Sequence, residues 1–194
     1  MIKVGITGGI GAGKTTVSRM VEALGYPVYP ADYEAKRLMT ESPAIKEGLL
    51  ALLGPNVFEG KTLNRPFIAQ SIFGNNTLLK KVNTLVHPVV KDDFKRWCAA
   101  FSTSPFLFLE SALMYEAGLQ NELDTIICVT APLDLRVKRV MERDQVSKET
   151  VLARIAAQKE EEEQARSAQF VICNDDKTAL IPQLHAVLNA LAVK

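Results

Sequence analysis

Gly8, four residues, then Gly13-Lys14-Thr15 constrains this chain more than any other stretch. The spacing is that of a phosphate-binding loop. It follows an apolar run, Ile2 to Ile6, within a strand expected from Ile2 to Thr7, and opens an amphipathic segment, Val17 to Leu24. Each part has a physical task. Glycines let the backbone take φ > 0 and bring bare N–H groups close to an anion. A helix starting there points the positive end of its dipole at the same anion. The candidate nucleotide-binding residues are therefore Gly8, Gly9, Ile10, Gly11, Ala12, Gly13, Lys14, Thr15 and Thr16. Lys14 is a mobile cation for the outer phosphates and a candidate catalytic residue. Thr15 offers its hydroxyl to Mg²⁺. A plain glycine-rich turn is the alternative, and the strand before and helix after argue against it.

The rest of the chain repeats the strand-then-helix rhythm. Helix one is expected from Lys14 to about Leu24, with Val17, Met20, Val21 and Leu24 on one face and Gly25 as its stop. A short strand at Pro27-Val28-Tyr29 leads to Pro30-Ala31-Asp32. Helical spacing then runs from Tyr33 to Leu53, ended by Gly54-Pro55. Residues 56–101 read as a mostly helical insertion with no strand: a loop to Pro66, helical spacing through Phe67 to Ile72, and two more helices separated at His87-Pro88. Phe106 to Leu109, Thr125 to Val129 and Phe170 to Cys173 are continuous apolar runs, the pattern of strands buried on both faces. Between the last two lie two helices. The first, Leu133 to Arg143, turns Leu133, Val137, Val140 and Met141 inwards, and the second has Ser147 as its N-cap. A final helix carries Leu184, Val187, Leu188 and Leu191, with Pro182 leaving its start open. Five short strands alternating with helices predict a doubly wound α/β fold with a parallel sheet.

At 194 residues the chain is long enough for one domain with a sizeable core. Its formal net charge of +1 gives no global pull towards nucleic acid or membranes. No apolar run reaches transmembrane length, and Met1-Ile2-Lys3 leads straight into a strand with no signal peptide before it. Cys98, Cys128 and Cys173 are scattered in apolar surroundings and read as reduced thiols in a cytoplasmic protein. The run Glu160 to Glu163 after Lys159 reads as a solvated helix face.

Four further groups can carry chemistry. Arg136, Arg139 and Arg143 sit at i, i+3 and i+7 and share a helix face, with Arg154 on the next helix. Guanidinium forks suit phosphate, so the pair of helices reads as a lid bearing arginines, with a solvated basic face as the alternative. Asp32 follows the second strand, where a carboxylate can accept the proton of an attacking hydroxyl or hold Mg²⁺ through water; it can equally cap a helix starting at Tyr33. His87 sits where it can contact a substrate or satisfy a loop carbonyl, whereas His185 reads as surface. Arg37 and Arg65 can bind anionic groups or stand exposed.

Together these stretches resemble the dephospho-CoA kinase family over nearly the whole chain. Thr7 to Thr16 is close to that family's form of the phosphate loop. Ala31-Asp32 with Glu34 to Arg37 resembles its Asp-Ala-Asp-x-x-Ala-Arg stretch, Leu63-Asn64-Arg65 its Leu-Asp-Arg, and His87-Pro88 its His-Pro. Leu113-Met114-Tyr115-Glu116 resembles its Leu-Leu-Phe-Glu. Arg139 to Asp144 and Arg154 to Gln158 resemble its lid, and Phe170 to Asn174 the strand and loop near adenine. The departures are Pro30 for an aspartate, Asn64 for an aspartate, Ala112 for a proline, Arg136 for a glutamine and Gln169 for an aspartate.

The resemblance implies a three-layer P-loop kinase fold: a five-stranded parallel sheet flanked by helices, with a helical substrate-binding insertion at 56–101 and a helical lid at 133–166 of a single 1–194 domain. It implies transfer of the ATP γ-phosphate to the ribose 3′-hydroxyl of dephospho-CoA, with Mg²⁺ as cofactor, in a cytoplasmic monomer with no nucleic-acid or membrane partner. Asp32, Lys14 and Arg139 are then the catalytic candidates. Arg139, Arg143 and Asn174 join the loop in binding ATP, and Asp32, Arg37, Arg65, His87 and Glu116 bind the acceptor. The competing readings are another small-molecule kinase on this scaffold, such as a nucleoside monophosphate kinase, and a nucleotide-switch module.

Overall fold

Apolar runs without alternation form the centre of the molecule. The computed structural model describes residues 1–60, 62–156, 158 and 161–193. Five strands, β1 (Ile2–Thr7), β2 (Val28–Pro30), β5 (Phe106–Glu110), β6 (Thr125–Thr130) and β7 (Phe170–Cys173), make one sheet in the order β2-β5-β1-β6-β7. Every pairing in it is parallel. Glu110 is in register with both Ile6 and Pro30, so β1, β2 and β5 end along the same edge.

Two compact units divide the chain: residues 1–30 with 101–194, and residues 31–100. The first holds the sheet. On one face Val4, Ile6, Phe106, Phe108, Ile127, Val129 and Ile172 pack with Val17 and Val21 of α1 (Lys14–Ala23) and Leu184, Val187 and Leu191 of α9 (Leu180–Ala192). On the other, Leu107, Leu109 and Cys128 are sealed from solvent, and Gly5 leaves room for Met114 and Leu123. Fully burying one such aliphatic side chain stabilises the fold by about 1.5–3 kcal/mol. α1 ends where Gly25, at φ 87°, turns the chain back towards β2. α6 (Leu133–Asp144) and α7 (Lys148–Ala156) pack through Val137, Val140 and Val151, and Ser147 Oγ caps α7 by accepting from Thr150 N–H at 3.3 Å. Leu133, expected to face inwards, is 54% exposed. Arg136 takes its place on the buried face of α6. Leu24 is likewise exposed, because α1 has already ended. Of the run Glu160 to Glu163, Glu160 lies outside the described residues, as does Lys159 before it; α8 (Glu161–Ser167) follows.

The second unit begins at Ala31 and contains α2 (Ala31–Glu41), α3 (Pro43–Leu53), α4 (Arg65–Ile72) and α5 (Asn76–Ala100). Two expectations are corrected here. A small antiparallel hairpin, β3 (Phe58–Glu59) with β4 (Thr62–Leu63), stands in the region expected to lack strands. Two-residue strands are too short to leave a period in the sequence. His87-Pro88 does not interrupt its helix: α5 is continuous for 25 residues with Pro88 inside. An internal proline costs about 3 kcal/mol. Val82, Val86, Val90, Phe94 and Cys98 form one buried stripe through that point, and their burial outweighs it.

Cys98 and Cys128 are buried free thiols and Cys173 is a half-buried one. No helix among the described residues is long and apolar enough to cross a membrane.

Candidate active site

The phosphate loop connects β1 to α1 at the carboxyl end of the central strand, the position at which open parallel sheets bind ligands. Gly13 is the residue before α1 and adopts φ 102°, ψ 25°, a left-handed conformation that side chains disfavour. A Cβ there would also overlap Asn174 Nδ2, and one at Gly9 would overlap the Arg136 guanidinium. The loop thus needs bare backbone for two reasons, its own conformation and its neighbours.

A cavity of about 300 Å³ opens over this loop, lined by Gly11, Gly13, Thr15 and Thr16 together with Lys14, Arg19, Arg139 and Arg143. Four of its lining side chains are cationic and none is a carboxylate. With the amino end of α1 directed into it, the cavity is built for a polyanion. Lys14 is buried and its ammonium donates to Gly8 O at 2.9 Å and Gly9 O at 3.2 Å.

The three arginines of α6 divide. Arg139 and Arg143 line the cavity. Arg139 also donates to Gly11 O and Asn174 O and pairs with Asp176. Arg143 forks onto Asp144, which Arg154 holds from α7; the Arg143 hydrogen bond is the main reason the Asp144 carboxyl titrates below its usual range. Arg136 is not on a solvated face with them: it is 5% exposed, and its Nε donates to Ile10 O at 3.0 Å. Asn174, expected near adenine, donates from Nδ2 to Ala12 O at 2.8 Å.

Thr15 Oγ1 donates to Glu110 Oε1 at 3.1 Å. Glu110 is not among the residues singled out from sequence. It ends a doubly buried strand, and the fold sets that strand beside β1 at the ligand-binding edge. Gln158 and Gln164 were also missed as site residues. Gln158 Oε1 accepts from Ile10 N–H at 2.8 Å, and buried Gln164 accepts from the Thr7 hydroxyl at 3.3 Å. Only the tertiary fold brings either to the loop. Glu116 is exposed in the segment after β5; its neighbour Tyr115 donates to Gln164 O at 3.4 Å.

The remaining candidates belong to the second unit. Asp32 is exposed in the first turn of α2, two residues past the end of β2. It does not cap a helix starting at Tyr33, because α2 already begins at Ala31. The Arg37 guanidinium is engaged by Glu34, Glu41 and Asp93, chiefly Glu34, and this keeps it firmly charged. It ties α2 to α5. Arg65 is exposed at the start of α4. His87 is half-buried in α5, and burial, then Lys91, lowers its pKa.

The model of the dephospho-CoA kinase family matches residues 2–179. The chain belongs to the dephospho-CoA kinase family. It is 42% identical over 183 residues to the dephospho-CoA kinase of Bacteroides fragilis, covering 94% of this chain and 89% of that protein. A crystal structure of a Thermus thermophilus protein superposes with a TM-score of 0.84 at 36% identity, over 99% of this chain and 96% of that one. Dephospho-CoA kinase from Campylobacter jejuni shares the fold at 23% identity, with a TM-score of 0.69 over 98% and 95% of the two chains. The activity of this chain is therefore ATP-dependent phosphorylation of the ribose 3′-hydroxyl of dephospho-CoA, the last step of coenzyme A synthesis. The family match favours neither a nucleoside monophosphate kinase nor a switch module.

Proposed function

We propose that this reaction is carried out by the residues around the loop in the following roles. The N–H groups of Gly11, Gly13, Lys14 and Thr15 and the amino end of α1 bind the ATP phosphates. Lys14, Arg139 and Arg143 neutralise charge that spreads over the transferred oxygens. Asp32 orients the attacking 3′-hydroxyl and takes its proton as the new P–O bond forms and the bond to ADP breaks. A ribose hydroxyl is a weak nucleophile, and a carboxylate beyond the end of a sheet strand is suited to that help. Arg65, His87 and Glu116 are contacts for the CoA precursor, the helical insertion at 56–101 shapes its site, and Arg37 supports them through α2. The 133–166 segment acts as the lid that excludes water, which would otherwise take the phosphoryl group.

The donors also fit Mg²⁺. A hydroxyl and a carboxylate meet at 3.1 Å, both hard oxygen donors. Among the described residues no cluster of three acidic, histidine or cysteine side chains could hold a metal alone. That matches an ion bound by one or two protein groups and the phosphates of its nucleotide. Thr15 and Glu110 would hold it, and it would supply charge neutralisation on the phosphate oxygens.

The observation that carries this reading is the cationic cavity at the start of α1. Its test is steady-state ADP release with ATP and dephospho-CoA, compared with AMP as acceptor, for wild type and Asp32→Asn. General-base help is worth about 10²–10⁴ in rate, so Asp32→Asn should lose kcat on that scale while KM and thermal stability hold. Wild-type turnover in Asp32→Asn would leave Asp32 a dipole-facing charge on α2 and nothing more.

A further inference from the structure

Along the phosphate loop, five successive carbonyls are each held by a side-chain donor. Lys14 takes Gly8 and Gly9, Arg136 takes Ile10, Arg139 takes Gly11 and Asn174 takes Ala12. Ile10 also has its N–H held by a side chain, Gln158 at 2.8 Å, whereas the Ala12 N–H donates to the backbone at Gly9 O. Ile10 does not line the anion cavity, whereas Gly11 does. Its two polar groups are therefore held from outside the cavity and do not compete with phosphate.

The peptide geometry turns this grip into an aiming device. A trans peptide is planar, and its C=O and N–H point in opposite directions. Holding Ile10 O on Arg136 turns the N–H of Gly11 the other way. Gly8, Gly9, Gly11 and Gly13 make the loop soft, and ordering glycine backbone is entropically expensive. Ile10 sits between two of these soft points. Arg136 suits the task because it is buried, carries a rigid fork and packs where Gly9 has no side chain.

We propose that Arg136 and Gln158 act together as positioning residues for phosphoryl transfer, holding the two peptides that flank the Ile10 Cα so that the Gly11 N–H is aimed at the bound phosphate. The proposal rests on the phosphate-site reading above. It is tested with Gln158→Met, Arg136→Lys, Arg136→Met, the double variant Arg136→Lys/Gln158→Met, and Lys14→Ala as control. Each is measured for kcat, KM for both substrates and thermal unfolding. Misaimed groups cost on the order of 10–10² in rate, so Gln158→Met should lose about tenfold in kcat with unchanged KM for dephospho-CoA and unchanged melting. Arg136→Lys keeps a donor and a charge and should retain more activity than Arg136→Met. The double variant should lose less than the product of its single losses, since the two hold adjacent peptides on either side of one Cα. Wild-type kcat and ATP KM in both Gln158→Met and Arg136→Lys would overturn the proposal, as would Arg136→Met losing melting temperature with unchanged kcat. Full activity in Lys14→Ala would instead overturn the phosphate-site reading itself.

Discussion

Replacing Gly13 by alanine is the most direct measurement of how the loop is held. Two costs can be worked out. An L-residue at φ 102° carries a left-handed penalty of about 1–2 kcal/mol. The new Cβ would overlap Asn174 Nδ2, so its 2.8 Å bond to Ala12 O must break, a net loss of about 0.5–1.5 kcal/mol. The total is roughly 1.5–3.5 kcal/mol, a large part of the ~5–15 kcal/mol that holds a domain together. At about 2–4 °C per kcal/mol for a chain of this size, melting should fall by roughly 3–14 °C. Gly25→Ala is the control. It has a comparable φ of 87° but nothing within 4 Å of a new Cβ, so it should show the backbone penalty alone. The assay is thermal unfolding of both variants with and without ATP, where the ligand-induced shift reports affinity for the native state. Gly13→Ala should melt below Gly25→Ala and lose most of the ATP shift. If the two melt alike and both keep the full shift, the Asn174 contact does not shape the site.

Lys14→Ala should abolish turnover and leave the fold intact, because an ammonium at the outer phosphates acts mainly on kcat; wild-type kcat in the folded variant refutes this. Arg139→Ala should lower kcat by about 10²–10³ while the KM for dephospho-CoA changes little, read by steady-state kinetics; unchanged turnover and ATP affinity would make it a structural tie to Gly11, Asn174 and Asp176. His87 titrates low because it is partly buried and faces Lys91. Its folded pKa lies below the unfolded one, so the stability it contributes is present above about pH 6.5 and lost as pH falls through the folded value. Wild type should therefore lose more melting temperature between neutral and acid pH than His87→Gln, and equal losses refute the shift.

The sheet was legible because apolar runs without alternation have one physical solution. β1 and β7 begin and end at the expected residues, and the other three strands differ by about one. Local rules failed where tertiary burial outvoted them. Pro88 should break a helix, yet the stripe from Val82 to Cys98 carries α5 through it. Helical spacing put Arg136 with Arg139 and Arg143 but could not say that it is buried against Ile10. Glu110 and Gln158 look like an ordinary strand end and an ordinary polar residue until the fold brings them to Thr15 and Ile10.

The carbonyl of Ala12 is held by a side chain 162 residues further along the chain. During synthesis the whole glycine-rich motif leaves the ribosome early, yet its cradle is finished only when β7 has docked beside β6 and delivered Asn174. A nascent chain, or a fragment stopping short of that strand, carries every residue of the motif and lacks the donor that holds the Ala12 carbonyl. Full ATP affinity should therefore report that synthesis has passed β7 as well as mark the first step of the reaction.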